Sequence, residues 1–405
     1  MIERYQIAII GAGPAGLSAA ARAADTGLSY ILLEASKQFA DTVQHYQKGK
    51  HVMAEPAILP IRSTLPFEAD SREAVLDTWQ SFIRHRNLNI QYQAKVIGVS
   101  GSQGDFTLQV ESDTSIQAET IIMSIGIQGN LRKLVVPGAD SRFIQYHLDD
   151  PAEYRDENIV IVGAGDSAIE NAQALAENDN EVIMLNRREE FSRAKQGNLD
   201  AVLHDISTDK LECYYSTTVD SIESIDRPVR PVTVNVKTPS GPVAIQCERV
   251  IARLGATPPR HFLETCGVEF TNDAPDALPI LDNTYQSTVP GLHIIGSLAG
   301  YPLIKQAVNQ GYEVIEFIRG ESVMPADESI LHEKFKDLPV FQSVNDTLAM
   351  IRRNVPLLSG LTTLQLREFL LESSVLLPRS GYPDIIVADS ASAAIDNPDV
   401  SVVYI

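Results

Sequence analysis

Two short glycine loops are the parts of this sequence best suited to chemistry. The first is Gly11-Ala12-Gly13-Pro14-Ala15-Gly16, and the second is Gly163-Ala164-Gly165-Asp166-Ser167-Ala168. At a strand-to-helix turn such a run cradles a pyrophosphate. Its first glycine makes the tight turn, its second lets phosphate approach the backbone, and its third small residue lets helix and strand pack closely. The helix that follows offers unpaired N–H groups and the positive end of its dipole to the anion. A lone glycine loop is weak grounds for a site, since turns often need glycine. Here each loop follows an apolar run, Tyr5–Ile10 or Asn158–Val162, and opens a helix, which is the full context the motif requires.

The residues about 20 positions further on separate the two sites. Glu34 ends the strand Tyr30–Leu33, where a carboxylate binds the hydroxyls of an adenine ribose. The plain alternative is a solvated carboxylate at a strand end. The second unit has Asn186-Arg187-Arg188 at the matching place, with Arg193 following. Guanidinium forks bind phosphate with paired hydrogen bonds, whereas a carboxylate would repel it. The alternative for these arginines is an exposed charge cluster answering Glu189 and Glu190. The pattern favours FAD in the first site and NADPH, rather than NADH, in the second.

The elements that must position these loops repeat along the chain. Each unit runs apolar strand, glycine loop, alanine-containing helix and second strand. Each then continues into a meander, Ala94–Ser100 with Phe106–Val110 and Val232–Val236 with Val243–Gln246, and closes with a strand entering glycine, Thr120–Gly126 or Arg249–Gly255. The expected fold is α/β: two Rossmann-like, three-layer ββα nucleotide-binding domains, the second inserted in the first, plus a small C-terminal element. The boundaries read as 1–131 and 255–322 for the first domain, 132–254 for the second, 323–354 for a polar linker, and 355–405 for the C-terminal element. One amphipathic helix, carrying Val344, Leu348 and Ile351, is expected in the linker.

With both loops, Glu34 and the Asn186–Arg193 run in this order, the chain resembles the thioredoxin-reductase-type two-domain flavoproteins over about residues 1–320. The resemblance implies FAD in the first unit and NADPH in the inserted one. It implies a returning segment, Val289–Ser297, in which Gly296 and Ser297 meet the flavin, with serine standing where the family has aspartate. It also implies that the helix containing Lys305, Gln306 and Ala307 faces the flavin, and that Gly126 and Gly255 mark the crossovers. Gln44 and Val96 complete the candidate cofactor contacts. The stretches Leu131–Val136 and Gly255–Pro259 are the implied hinges for rotation of one domain against the other.

The departures narrow the activity. Thioredoxin reductases carry a CxxC ahead of the second glycine loop, and here Arg142–Asp150 has no cysteine. Bacillithiol-disulfide-reductase-like relatives place a cysteine in the first loop, where this chain has Ala15. What is left resembles the ferredoxin–NADP reductase branch: hydride from NADPH to FAD, then electrons to ferredoxin or another iron–sulfur partner. Because the redox chemistry belongs to the cofactor, no catalytic side chain is assigned. The rival readings are a reductase of a low-molecular-weight disulfide or quinone, and a redox or nucleotide sensor without turnover.

Bulk composition limits the partners. The 405 residues carry a formal net charge of -20, which disfavours nucleic acid or an anionic membrane and obliges any acidic partner to dock on a local basic patch. Cys213, Cys247 and Cys266 form neither a CxxC nor a metal cluster, which suits a reducing compartment. Ile7–Ala24 is apolar but lacks a basic lead-in and is broken by glycine and proline, so a secretory signal is not expected. The expectation is a cytoplasmic homodimer without a membrane span. Val355–Leu371, with Thr362 or Thr363 as cap, resembles the opening of a cyclic-nucleotide-binding domain, though no phosphate-binding Gly-Glu and Arg pair follows. A docking or dimerisation helix is the plainer reading.

Overall fold

A computed structural model describes residues 3–338, 341–361 and 363–373. The reading of Thr362 as a cap and any continuation of the C-terminal element beyond 373 lie outside the described residues.

Alternation of apolar residues along short strands builds both sheets. In Glu3–Ile10, Ile7 and Ile9 enter one core while Ala8 and Ile10 enter another on the opposite face. Leu32 against Ile31 and Leu33, and Ile122 against Ile121 and Met123, divide the same way. Successive side chains on a strand point to opposite faces, so these runs suit a sheet covered on both sides. The sheet order is Ile90–Gln91, Tyr30–Leu33, Glu3–Ile10, Ser115–Met123, Asp105–Val110, Val96–Ser102, with Leu292–Ile294 also joining Ser115–Met123. The first half of Ser115–Met123 pairs antiparallel with the meander. Its second half pairs parallel with Leu292–Ile294, and nearly the whole strand pairs parallel with Glu3–Ile10.

The second unit repeats the plan. A five-stranded parallel sheet has the order Glu212–Tyr214, Glu181–Leu185, Asn158–Val162, Arg249–Ala252, Ile144–Gln145. Its meander, Thr218–Ser224, Val232–Thr238 and Gly241–Cys247, forms a separate three-stranded sheet. The difference has a local cause. The first unit runs from meander to core on one continuous strand, whereas the second breaks at Glu248 between Cys247 and Arg249.

Two chain crossings join the lobes side by side. Leu131 bridges Ala256, the Arg132 N–H donates to Gly255 O at 3.0 Å, and the Thr257 N–H donates to Asn130 O at 3.1 Å. Elsewhere the lobes meet through polar contacts: Lys50 with Glu170 at 2.5 Å, Lys195 with Glu55 at 2.6 Å, Lys48 with Asp150 at 2.6 Å, and Asn171 Nδ2 with Gln47 Oε1 at 2.8 Å.

The stretch read as a linker holds two helices, Glu328–Phe335 and Val344–Asn354; the first of them was not expected. With Thr363–Glu372 they bury Leu331, Phe335, Leu348, Leu366 and Leu370 in a core of their own. Short, charged Glu328–Phe335 shows little apolar periodicity, and its burial comes from its neighbours. Arg367 ties this helical module together. Its Nε meets Asp327 Oδ2 at 2.9 Å, and its Nη2 meets Glu328 Oε2 at 2.6 Å, with the guanidinium almost fully buried. Removing one partner of a buried ion pair strands the others, at about 3–5 kcal/mol. Arg367→Leu should therefore leave the two lobes folded while making residues 321–373 readily cleaved in limited proteolysis. An unchanged digestion pattern would contradict this role.

Candidate functional site

Steric demand on the glycines distinguishes those that serve the fold from those that do not. Gly11 has φ +101°, and a Cβ there would lie 2.7 Å from Ser124 O. A Cβ on Gly16 would lie 2.0 Å from Gly11 O. In the second unit Gly163 has φ +137°, and its Cβ would lie 2.3 Å from Arg253 O. In both units, then, the first glycine lies under a carbonyl of the closing strand. The middle glycines differ. Gly13 and Gly165 have extended backbones that any residue adopts. A Cβ on Gly13 would come no nearer than 3.9 Å to another protein atom, and one on Gly165 would meet nothing within 4 Å. Packing does not require glycine at either place, whereas close approach of a phosphate does.

The first loop opens onto a cavity of about 690 Å³. Gly11, Gly13, Pro14, Ala15, Glu34, Val96, Gly126, Gly296, Ser297 and Ala307 all line it. Gly16 lies beneath the loop, against Gly11 O. Glu34 is 7% exposed; its Oε2 accepts from the Ala12 N–H at 2.7 Å and its Oε1 from the Ser36 N–H at 2.8 Å. Burial pushes its pKa up, and the backbone N–H groups of Ser36, Ala12 and Ala35 oppose that shift. A carboxylate has about four acceptor sites, so one stays available to a hydroxyl beside these backbone donors. Gly126, at φ +66°, brings a would-be Cβ to 3.3 Å from Ser297 Oγ, so the serine hydroxyl sits at the crossover of the two segments.

Three expected contacts point elsewhere. Gln44 donates to Phe39 O at 3.4 Å and lines a neighbouring pocket with Lys48 and Arg72. Lys305 is buried, and its Nζ donates to Pro56 O at 2.8 Å and Ala57 O at 3.3 Å. Gln306 lines a separate cavity on the other side of its helix, Ile304–Ile318. Only Ala307 of that trio lines the large cavity.

The second loop faces two adjoining spaces. Gly165, Asp166, Ser167, Ala168 and Gly255 line one of about 230 Å³. Gly163, Arg187, Arg188 and Arg193 line the other, of about 350 Å³. Asp166 Oδ1 accepts from the Lys195 N–H at 2.9 Å and Asn198 Nδ2 at 2.8 Å, which ties the helix start to the next helix. Buried Asn186 shapes the arginine turn: its Oδ1 accepts from the Arg188 N–H at 3.0 Å and its Nδ2 donates to Glu190 O at 3.0 Å. Among the described residues Arg187, Arg188 and Arg193 enter no ion pair with Glu189 or Glu190; Arg188 Nη1 bonds Ser192 Oγ at 2.6 Å. All three arginines are exposed and line this space.

Arg253 was not anticipated. It lines both spaces, donates from Nη1 to Tyr146 O at 2.6 Å, and leaves a buried Nε without a partner. Burial lowers its pKa, with Glu170 acting in the opposite direction. The available signal was a cation interrupting the apolar run Arg249–Gly255.

The cysteines do not supply a redox centre. Burial pushes the thiols of Cys213 and Cys247 up to about 12 and that of Cys266 up to about 11, so all three stay protonated near neutrality.

A family model, "Pyridine nucleotide-disulphide oxidoreductase", matches residues 8–296, which span both glycine loops and the returning segment. The chain belongs to this family. It is thus an oxidoreductase of the nicotinamide-nucleotide class. A ferredoxin–NADP reductase of Ignicoccus hospitalis is 23% identical over 306 residues, covering 75% of this chain and 93% of that one. Among solved structures, the bacillithiol disulfide reductase Bdr of Staphylococcus aureus superposes with a TM-score of 0.71 at 21% identity, over 79% of this chain and 99% of the other. The Lactococcus lactis thioredoxin reductase gives a TM-score of 0.64 at 21% identity, over 78% and 98%. The expected thioredoxin-reductase-like α/β fold is the one this family member has. No described helix is long and apolar enough to cross a membrane.

Proposed function

We propose that the chain is an FAD-dependent oxidoreductase that takes hydride from NADPH and delivers electrons to a separate acceptor of the ferredoxin type. The observation that carries this reading is the contrast between the two loops. Each has a middle glycine that packing does not require, but one is followed by a buried carboxylate and the other by arginines unpaired with their acidic neighbours. Bound FAD supplies the redox chemistry, accepting a hydride and releasing electrons singly or as a pair. The chain's own residues do the holding. Gly13 and the start of helix Pro14–Asp25 admit the pyrophosphate, Glu34 accepts from the ribose, and Gly296 and Ser297 border the far end of the cavity. Gly165 with Ser167, and Arg187 with Arg188, do the same for NADPH and its 2′-phosphate.

The name of the Ignicoccus hospitalis relative supports ferredoxin as the acceptor class, and the raised thiol pKa values of the three cysteines, two of them buried, support an outlet beyond the chain itself. The paired crossings at Leu131–Ala256 and Arg132–Gly255 are the proposed hinge between half-reactions.

Under anaerobic conditions, NADPH should bleach the flavin absorbance of the purified protein, and added ferredoxin should restore it. Colourless protein that cannot be reconstituted with FAD would remove the flavoenzyme reading. Reoxidation by a quinone or a low-molecular-weight disulfide, but not by ferredoxin, would leave the flavin and reassign the acceptor.

A further inference from the structure

The two glycine loops differ in the charge that follows them. The first turn of helix Pro14–Asp25 carries no acidic residue, whereas Asp166 opens helix Asp166–Ala176. A carboxylate there suits the helix dipole, but it repels a phosphate arriving at the same end. Asp166 accepts from neutral donors, the Lys195 backbone N–H at 2.9 Å and Asn198 Nδ2 at 2.8 Å, and among the described residues no cation pairs with it. One turn on, Glu170 is matched by Lys50 at 2.5 Å, which leaves Asp166 as the uncompensated charge beside this loop. A pyrophosphate docking over Gly165 needs a cation that the loop itself does not supply.

Arg253 stands where that cation is needed. It follows directly on the strand Arg249–Ala252, its N–H donates to Val162 O at 2.8 Å, and its carbonyl oxygen overhangs Gly163. The side chain is held as well, because Nη1 donates to Tyr146 O at 2.6 Å. A guanidinium fixed before its ligand arrives lowers the ordering cost of binding. Nε is enclosed. Nη2 has no partner, and unlike Nε it is not sealed from solvent. Arg253 lines the 230 Å³ space with Gly165, Asp166 and Ser167, and the 350 Å³ space with Arg187 and Arg188, so it joins the helix start to the arginine turn. Arg132 also lines both, but no hydrogen bond holds its guanidinium.

We propose that Arg253 binds the pyrophosphate of the nicotinamide nucleotide through Nη2, offsetting the charge that Asp166 places at the helix start. The inference rests on the nucleotide assignment proposed for the second loop. It divides the work among the cations. Arg187 and Arg188 meet the 2′-phosphate that NADPH alone carries, whereas Arg253 meets the part that NADPH and NADH share. Arg253 therefore sets affinity for both nucleotides and leaves the preference between them untouched.

The test compares the FAD-loaded parent with Arg253→Gln. NADP+ binding is measured by calorimetric titration. Binding of 2′-AMP, which has the 2′-phosphate but no pyrophosphate, is measured by ligand-observed NMR. Arg253→Gln should weaken NADP+ on the order of 10–100-fold, as suits a lost charge-assisted hydrogen bond, and should raise KM for NADPH and NADH by the same factor. Both proteins should bind 2′-AMP alike. NADP+ binding unchanged by the substitution would overturn the inference. So would equal weakening of NADP+ and 2′-AMP, which is the result of a merely structural role. Parent protein that binds neither nucleotide would instead remove the nucleotide reading of the second loop, and the inference with it. If Arg253→Gln misfolds, Arg253→Lys decides: it keeps the charge but loses the fork, and should weaken NADP+ without affecting 2′-AMP.

Discussion

Gly13→Ala should fold as stably as the parent apoprotein yet retain no FAD, while Gly16→Ala should fail to fold. The two substitutions add the same methyl group three residues apart in one loop. At Gly13 the new Cβ meets nothing closer than Ser124 O at 3.9 Å, on a backbone that alanine adopts without strain. Alanine is a poorer helix cap than glycine, but it also restricts the unfolded chain by about 0.4–1 kcal/mol, so the two effects nearly cancel. At Gly16 the same methyl would sit 2.0 Å from Gly11 O, and backbone cannot yield as a flexible side chain can. Overpacking of this kind costs typically 1–3 kcal/mol, and more where the obstacle is main chain. Thermal melts of the flavin-free proteins, with FAD content of the parent and Gly13→Ala proteins as purified, check both halves. Gly13→Ala that keeps its FAD would show that no phosphate needs the space above that residue.

The second large effect is expected on nicotinamide preference. Replacing Arg187 and Arg188 together with alanine should raise the Michaelis constant for NADPH on the order of 100-fold, while leaving that for NADH nearly unchanged. Both guanidiniums line the space, Arg188 with one nitrogen on Ser192 Oγ, and a charge-assisted hydrogen bond to phosphate is among the stronger polar contacts a protein makes. NADH has no 2′-phosphate to lose. Stability should not shift, since neither side chain has a buried partner. Equal losses with both nucleotides would move the arginines away from the 2′-phosphate and into a general anion-attracting role.

Much of the frame was legible because it is local. Alternating apolar residues announced the strands, glycine spacing announced the turns, and residue type at the second strand's end separated the two loops. What escaped the reading depends on distant chain. Lys305 sits on the expected helix, but its ammonium turns toward Pro56 and Ala57 because that loop returns to it with the carbonyls of both residues. Gln44 is similarly captured by Phe39 O. Arg253 becomes notable only when Tyr146 and the second loop fold against it. The helix Glu328–Phe335 carries little apolar pattern of its own, and Arg367, far along the chain, completes its burial against Asp327.

The polar seam between the lobes has a consequence for working conditions. Lys50–Glu170, Lys195–Glu55 and Lys48–Asp150 are all at least partly open to solvent. Mobile ions weaken such pairs over a screening length of about 8 Å at physiological ionic strength. Added electrolyte thus acts as a lubricant between the lobes while leaving both interiors untouched. Glu170 and Asn171 also belong to the helix whose first turn borders the second glycine loop. The buffer that loosens the seam therefore acts on the same rod that carries the nucleotide's docking point.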